Sequence, residues 1–123
     1  MDIKAAAIEL LDLAINQRKV AEAFTKHVAP HYRQHNPDYA SGRDGAIAGL
    51  SAWVASIPEL RYDIKRIFVD GDHVILHAHV TKDRRDRGNA VIDILRRENG
   101  QFVEHWDVIQ PVPESANNEN SMF

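Results

Sequence analysis

Asn89-Ala-Val-Ile-Asp93-Ile-Leu-Arg-Arg-Glu98-Asn99-Gly100-Gln-Phe-Val-Glu104-His105-Trp106-Asp107-Val-Ile-Gln-Pro-Val-Pro113 is the stretch on which the fold turns. Two runs rich in Val and Ile flank Glu98-Asn99-Gly100, and Asn-Gly tolerates the positive φ angles that a tight hairpin requires. The stretch therefore reads as two antiparallel β-strands. Asp93 interrupts the apolar run Ala90-Val91-Ile92-Asp93-Ile94-Leu95, where a carboxylate needs a partner or a reason to hold a proton. The second strand carries Glu104, His105, Trp106 and Asp107 in succession. Side chains alternate between the faces of a strand, so Glu104, His105 and Asp107 cannot all serve one site.

Working outward, the 123 residues fit one domain spanning residues 1–113, followed by a polar tail over 114–123. Hydrophobic residues at 44% and charged residues at 27% are those of an ordinary globular domain. A net charge of -3 gives no basic footprint, so nucleic acid is not an expected partner. Without cysteine there is no disulfide framework, thiolate nucleophile or cysteine metal site. Met1-Asp2-Ile3-Lys4 lacks the apolar core of a signal peptide, and no window has the roughly 20 apolar residues that span a bilayer. A cytoplasmic protein without membrane contact is the expectation.

The first half has helical spacing. Ile3, Ala7, Leu10, Leu11, Ala14 and Ile15 form one stripe over residues 3–17, and Val20, Ala23, Phe24 and His27 form another over 19–28. Pro30 blocks further helix. His31 to Pro37 should be extended and then turn. Ser41-Gly-Arg-Asp44 matches a capping box, opening a third helix with Ile47, Leu50, Val54 and Ile57 aligned up to Pro58. The period then changes: Tyr62–Val69 and His73–Lys82 alternate as strands around Asp70-Gly71-Asp72, and Lys82–Arg87 is a charged loop.

Helices followed by consecutive strands define an α+β fold, with helices on one face of a mostly antiparallel sheet. Several strands are apolar on both faces, which favours a homodimer to cover the second. The alternative is that the helices wrap both sides. The apolar Met122-Phe123 at the end of the tail could dock on an apolar surface.

Asp93 is the leading candidate for chemistry. If it faces a cavity with Val91 and Leu95, withdrawal from water suits a carboxyl group for acid–base work near neutral pH. The bland alternative is a structural carboxylate paired with Arg33, Arg96 or a histidine. His77 and His79 share one face of their strand, and such a pair can begin a metal site with His35 and Glu104, although convergence of three or four ligands is required. No metal and no cofactor is the reading adopted. Trp53 and Trp106 suit core or pocket wall. There is no phosphate loop, dinucleotide fingerprint or Ser-His-Asp motif.

Gln34-His35-Asn36-Pro37, Gly71-Asp72-x-Val74, Asp93-Ile94-x-Arg96 and Gly100-Gln-Phe-Val-Glu104-His105-Trp106-Asp107, in this order and spacing, resemble the SnoaL-like proteins. These are the polyketide-cyclase branch of the nuclear transport factor 2-like superfamily. The resemblance covers nearly the whole chain, including the ending from Asn117 to Phe123. It implies a cone-shaped α+β barrel, in which a strongly bent sheet and three helices enclose one apolar pocket, and homodimers joined through sheet faces. It further implies a cofactor-independent aldol-type cyclase or isomerase acting on a small apolar carbonyl-containing ligand. Asp93 matches the family's catalytic aspartate and His79 its assisting histidine; His35, Asn36, His77, Trp53, Trp106 and His105 are the expected substrate-binding residues. The charged loop Lys82–Arg87 argues against a bulky aromatic polyketide. A non-catalytic binder of the same fold, or a hydrolase or dehydratase using Asp93 and water, are the alternatives. An enzyme is favoured because a carboxylate in an apolar strand costs stability unless something offsets it.

Overall fold

The computed structural model describes residues 1–123. The first apolar stripe forms helix α1 (Ile3–Leu11), opened by Asp2, whose carboxylate accepts from the Ala5 amide. The stripe does not continue as one regular helix: Asp12–Asn16 widen into a π-helical turn. That turn presents Asn16 to the start of a strand 46 residues away, where its side chain donates to the Tyr62 carbonyl and accepts from the Tyr62 amide, both at 2.9 Å. Arg18 takes a positive φ of 62° and caps the carbonyls of Val54 and Ile57 at the end of a later helix.

Helix α2 (Val20–His27) buries the four residues of its predicted stripe, Val20, Ala23, Phe24 and His27. Strand β1 (Val28–Gln34) follows without a loop and contains Pro30. A proline has no amide to give a ladder, and β1 lies at the sheet edge, where that loss is tolerated. The predicted capping box at Ser41–Asp44 does not form. Gly42 is the N-cap of helix α3 (Arg43–Ser56), with no side-chain cap. Ser41 is drawn away to β1, where its hydroxyl donates to the Tyr32 carbonyl and accepts from the Gln34 amide.

The remaining strands are β2 (Arg61–Asp70), β3 (His73–Thr81), β4 (Asn89–Glu98) and β5 (Gln101–Pro111). Asn99 and Gly100 both have positive φ, at 51° and 78°, as the two-residue hairpin requires. The sheet order is β1-β5-β4-β3-β2; only the β1–β5 pairing is parallel. Along β3 the inward residues are Val74, Leu76, Ala78 and Val80, all buried against the helices, while Ile75, His77 and His79 face outward.

One irregularity sets the face of everything beyond it. Arg97 pairs with Phe102, but Arg96 pairs with Glu104, so Val103 is an extra residue in β5. This bulge inverts the alternation. Consecutive Phe102, Val103 and Glu104 are all buried, and from there His105, Asp107 and Ile109 point inward.

Candidate active site

The helices do not fill the concave side of the sheet. They leave a cavity of about 470 Å³, lined by 22 residues of which 14 are hydrophobic. Leu10, Leu11 and Ile15 supply one wall, Ala46, Leu50 and Trp53 of α3 a second, and inward residues of β2 to β5 the floor. Gly49 is required here: a Cβ would lie 2.4 Å from the ring of Tyr39, another wall residue.

Asp93 lies on the cavity wall between Val91 and Leu95, at 6% exposure. Both carboxylate oxygens are engaged. Oδ2 accepts from the Tyr62 hydroxyl at 2.5 Å, and Oδ1 lies 2.7 Å from His105 Nε2. Cross-strand register produces this grouping, with Leu95 opposite His105 and Asp93 opposite Asp107. Asp107 brings a second carboxylate to within 4.0 Å of His105 Nε2. Like charges directly opposite repel, and the site answers with the Asn36 amide, which donates to both Asp107 oxygens at 3.0 and 2.9 Å.

Burial pushes the Asp107 carboxyl above its ordinary range, and the Asp93 charge adds to this; the Asn36 amide and the His105 charge pull the other way. Burial, reinforced by Asp93, holds the Tyr62 phenol well above its usual value, and the Tyr32 phenol is raised for the same two reasons. Tyr39 is raised by burial and then by Asp107. All three phenols therefore keep their protons at neutral pH and act as donors.

The predicted site residues divide. Asp93, His105, Asn36 and Trp53 line the cavity. His79 does not: it lies opposite Ala90 on the outward face, where its Nε2 donates to the Arg87 carbonyl at 2.7 Å and its ring packs on Phe123. His77 shares that face, contacting Arg66 and Phe123. His35 and Trp106 also lie outside. Their rings stack at 4.8 Å with 4° between planes, and His35 Nε2 bonds Glu104 at 2.7 Å. The histidine that meets Asp93 is His105, from the following strand. The neighbour predicted for Asp93 among Arg33, Arg96 and a histidine is thus the histidine; both arginines pair with Glu104 instead.

Sequence reading passed over Tyr62, Gln34, Tyr32, Tyr39 and Asp38, all of which line the cavity, and gave Asp107 no part in the site. Gln34 was legible as the inward neighbour of Asn36 in a strand ending at residue 34. Tyr62 carried no signal beyond its place at the start of a strand. The residues suggested for a metal do not converge. Asp93, His105 and Asp107 instead bring three ligand atoms within 4.8 Å of one another. In this arrangement Tyr62 already engages Asp93 Oδ2, Gln34 engages His105 Nδ1 and Asn36 engages both Asp107 oxygens, while Asp93 Oδ1 and His105 Nε2 engage each other.

Three helices against a five-stranded mixed sheet, with a cavity between them, constitute the cone-shaped α+β fold of nuclear transport factor 2-like proteins. Within that class, a family model described as the SnoaL-like domain matches residues 7–105, and the chain belongs to that family. TsrD from Streptomyces laurentii has a TM-score of 0.69 and 25% identity, over 89% of this chain and 90% of its own. A candidate isomerase of the SnoaL-like family from Agrobacterium tumefaciens has a TM-score of 0.74 at 15% identity, over 86% of this chain and 95% of its own. A candidate polyketide cyclase from Bacillus cereus has a TM-score of 0.70 at 20% identity, over 85% and 71%. No curated protein matches the chain. No helix is long and apolar enough to cross a membrane.

Proposed function

We propose that the protein is a cofactor-independent aldol-type cyclase or isomerase acting on a small carbonyl compound, with Asp93 as general acid/base. The observation that carries this reading is the placement of Asp93. It is a carboxylate on the wall of a largely apolar cavity, braced by a phenol on one oxygen and an imidazole on the other. Such bracing fixes the carboxylate's direction, and the apolar wall keeps water from competing for the proton.

Asp93 removes the proton from the carbon α to the carbonyl, and the C–H electron pair moves into the carbonyl to give an enolate. Protonation at another carbon by the same carboxyl completes an isomerisation. In a ring closure, the enolate carbon instead attacks a second carbonyl of the ligand, and the new alkoxide takes the proton. His105, with its ring directed at Asp93, replaces His79 as the assisting histidine. The phenols of Tyr32 and Tyr39 are the protonated donors available to an enolate oxygen.

The lining also bears on the ligand. Asp38, Asp93 and Asp107 line the cavity, and no Lys or Arg does, so an uncharged ligand fits better than a carboxylate or phosphate. A homodimer in the cytoplasm completes the reading. Phe68, Ile75, Ile94 and Trp106 follow one another across the outward face, and beside them His77, Ile92 and Val108, with Phe68 and Val108 well exposed. A band of this kind suits a second copy.

The test is α-proton exchange in deuterated buffer, followed by NMR over a panel of cyclic ketones and 1,3-dicarbonyl compounds. Exchange that depends on Asp93 is the expected result. Ligand-induced shifts without exchange for any compound would make the protein a binder.

A further inference from the structure

The segment Gln34-His35-Asn36-Pro37 enters the site through its first and third residues, and the first has no part in the reading above. Gln34 lies directly opposite His105 in the parallel pairing of β1 with β5, which sets both side chains on the cavity face. Gln34 Oε1 accepts from the Asn36 backbone amide at 3.0 Å and lies 2.7 Å from His105 Nδ1. The backbone amide can only donate, so the Gln34 atom facing both partners is its carbonyl oxygen. A carbonyl oxygen can only accept, so Nδ1 of His105 must carry hydrogen. The opposite tautomer would bring two lone pairs together at 2.7 Å.

We propose that Gln34 is a positioning residue that fixes His105 as protonated on Nδ1 and thereby reserves Nε2 for Asp93. With Nδ1 committed, one proton lies on the line between Nε2 and Asp93 Oδ1, 2.7 Å apart. Asp93 and His105 then hold that proton jointly. When Asp93 takes a proton from a ligand, the shared proton rests on His105, and the imidazolium charge offsets the enolate being formed. When the ligand takes a proton back, the pair returns to its starting state. Without Gln34 the neutral ring is free to carry its hydrogen on Nε2, donating to a carboxylate that stays ionised, and the reserve is lost. His35, the motif's more conspicuous residue, contributes nothing here because its ring lies on the outward face with Trp106.

The test reads the tautomer directly and needs no substrate. Imidazole 15N resonances of histidine-labelled protein are recorded for wild type, Gln34→Leu and Gln34→Glu, with the His105 signals identified by their loss in His105→Gln. Wild type should show a protonated Nδ1. Gln34→Leu should move the ring toward the Nε2–H tautomer, and Gln34→Glu, which keeps an acceptor, should restore Nδ1–H. A wild-type ring with a bare Nδ1 overturns the proposal, as does a Gln34→Leu spectrum identical to wild type. Should Gln34→Leu fail to fold, the wild-type and Gln34→Glu spectra decide. A second arm rests on the acid–base role proposed for Asp93: ketone exchange in Gln34→Leu should fall about 10- to 100-fold, with ligand affinity within about 2-fold of wild type. Protonated Nδ1 in a protein that exchanges no ketone would keep the tautomer assignment and sink the acid–base role alone.

Discussion

Replacing Asp93 by asparagine and, separately, by alanine divides the proposed catalytic role from the structural role of one buried group. The carboxylate is 6% exposed, with one oxygen on the Tyr62 hydroxyl and the other on His105. Asparagine can keep both contacts. Its Oδ1 accepts from Tyr62, and its amide donates to Nε2 of a neutral His105 whose hydrogen sits on Nδ1. Alanine keeps neither, leaving a buried hydroxyl and an imidazole nitrogen without partners, at about 1–3 kcal/mol for each unsatisfied group. Water entering the cavity will recover part of this, so the net cost is about 2–4 kcal/mol. A domain of 123 residues has an unfolding entropy of about 0.26 kcal/mol per kelvin, so each kcal/mol moves Tm by about 4 °C. Asp93→Ala should therefore melt about 8–16 °C below wild type, and Asp93→Asn within about 4 °C of it. Both should lose α-proton exchange by about 10²- to 10⁴-fold, the usual contribution of a general base. Scanning calorimetry and the NMR exchange panel give the two readings on the same samples. An asparagine variant that melts as low as the alanine one refutes the hydrogen-bond account, and one that exchanges ketones at the wild-type rate refutes Asp93 as the base.

Asp107→Asn should stabilise the protein in a pH-dependent way. A carboxyl group whose folded pKa is raised favours folding most when protonated, and that contribution is lost as pH rises through the folded pKa. The Tm difference, variant minus wild type, should thus be near zero around pH 3 and positive at pH 7; a difference independent of pH would contradict the burial argument. His79→Ala should leave ketone exchange within about 2-fold of wild type, because the ring faces away from the cavity; a loss approaching that of Asp93→Asn would return His79 to the mechanism. Val108→Glu, at a position 69% exposed on the outward band, should convert a dimer to monomer in sedimentation velocity with Tm of the monomer little changed. Dimers that survive this charge would have to be joined elsewhere.

Most of the fold was legible because local chemistry and tertiary packing agree. Asn99-Gly100 made its hairpin, the period-2 runs made strands, and the stripe Val20-Ala23-Phe24-His27 was buried as spaced. The failures are places where a distant partner outbid a local preference. Ser41 bonds β1 rather than capping α3, and the helix after Leu11 widens into a π turn that carries Asn16 to the backbone of Tyr62. Neither partner is visible from within the segment itself. The π turn also has a consequence for the site: Asn16 fixes the start of β2, and Tyr62 then reaches Asp93.

Of the candidate site, Asp93, His105, Asn36 and Trp53 were named from the sequence and do line the cavity. The contact of His105 with Asp93 was not legible, and the cause is the single extra residue at Val103. A regular ladder running back from the Asn99-Gly100 turn would set Asp93 opposite Trp106 and on one face with Glu104. That ladder would make the tryptophan a natural pocket wall. The bulge shifts the register by one, sets Asp93 opposite Asp107, and turns His105 in and Trp106 out. Because strand alternation has period two, one inserted residue exchanges the whole set of inward side chains beyond it. Nothing in Phe102-Val103-Glu104 announces this, since a bulge needs no particular residue when all three positions can be buried. The pairing of His105 with Asp93, and with it the part proposed for Gln34, thus depends on a register choice made in space. Deleting Val103 should therefore remove the bulge while keeping Leu95 opposite His105 and Asp93 opposite Asp107, so that both side chains stay in the cavity and ketone exchange survives; a folded deletion variant that has lost exchange would contradict this account of the register.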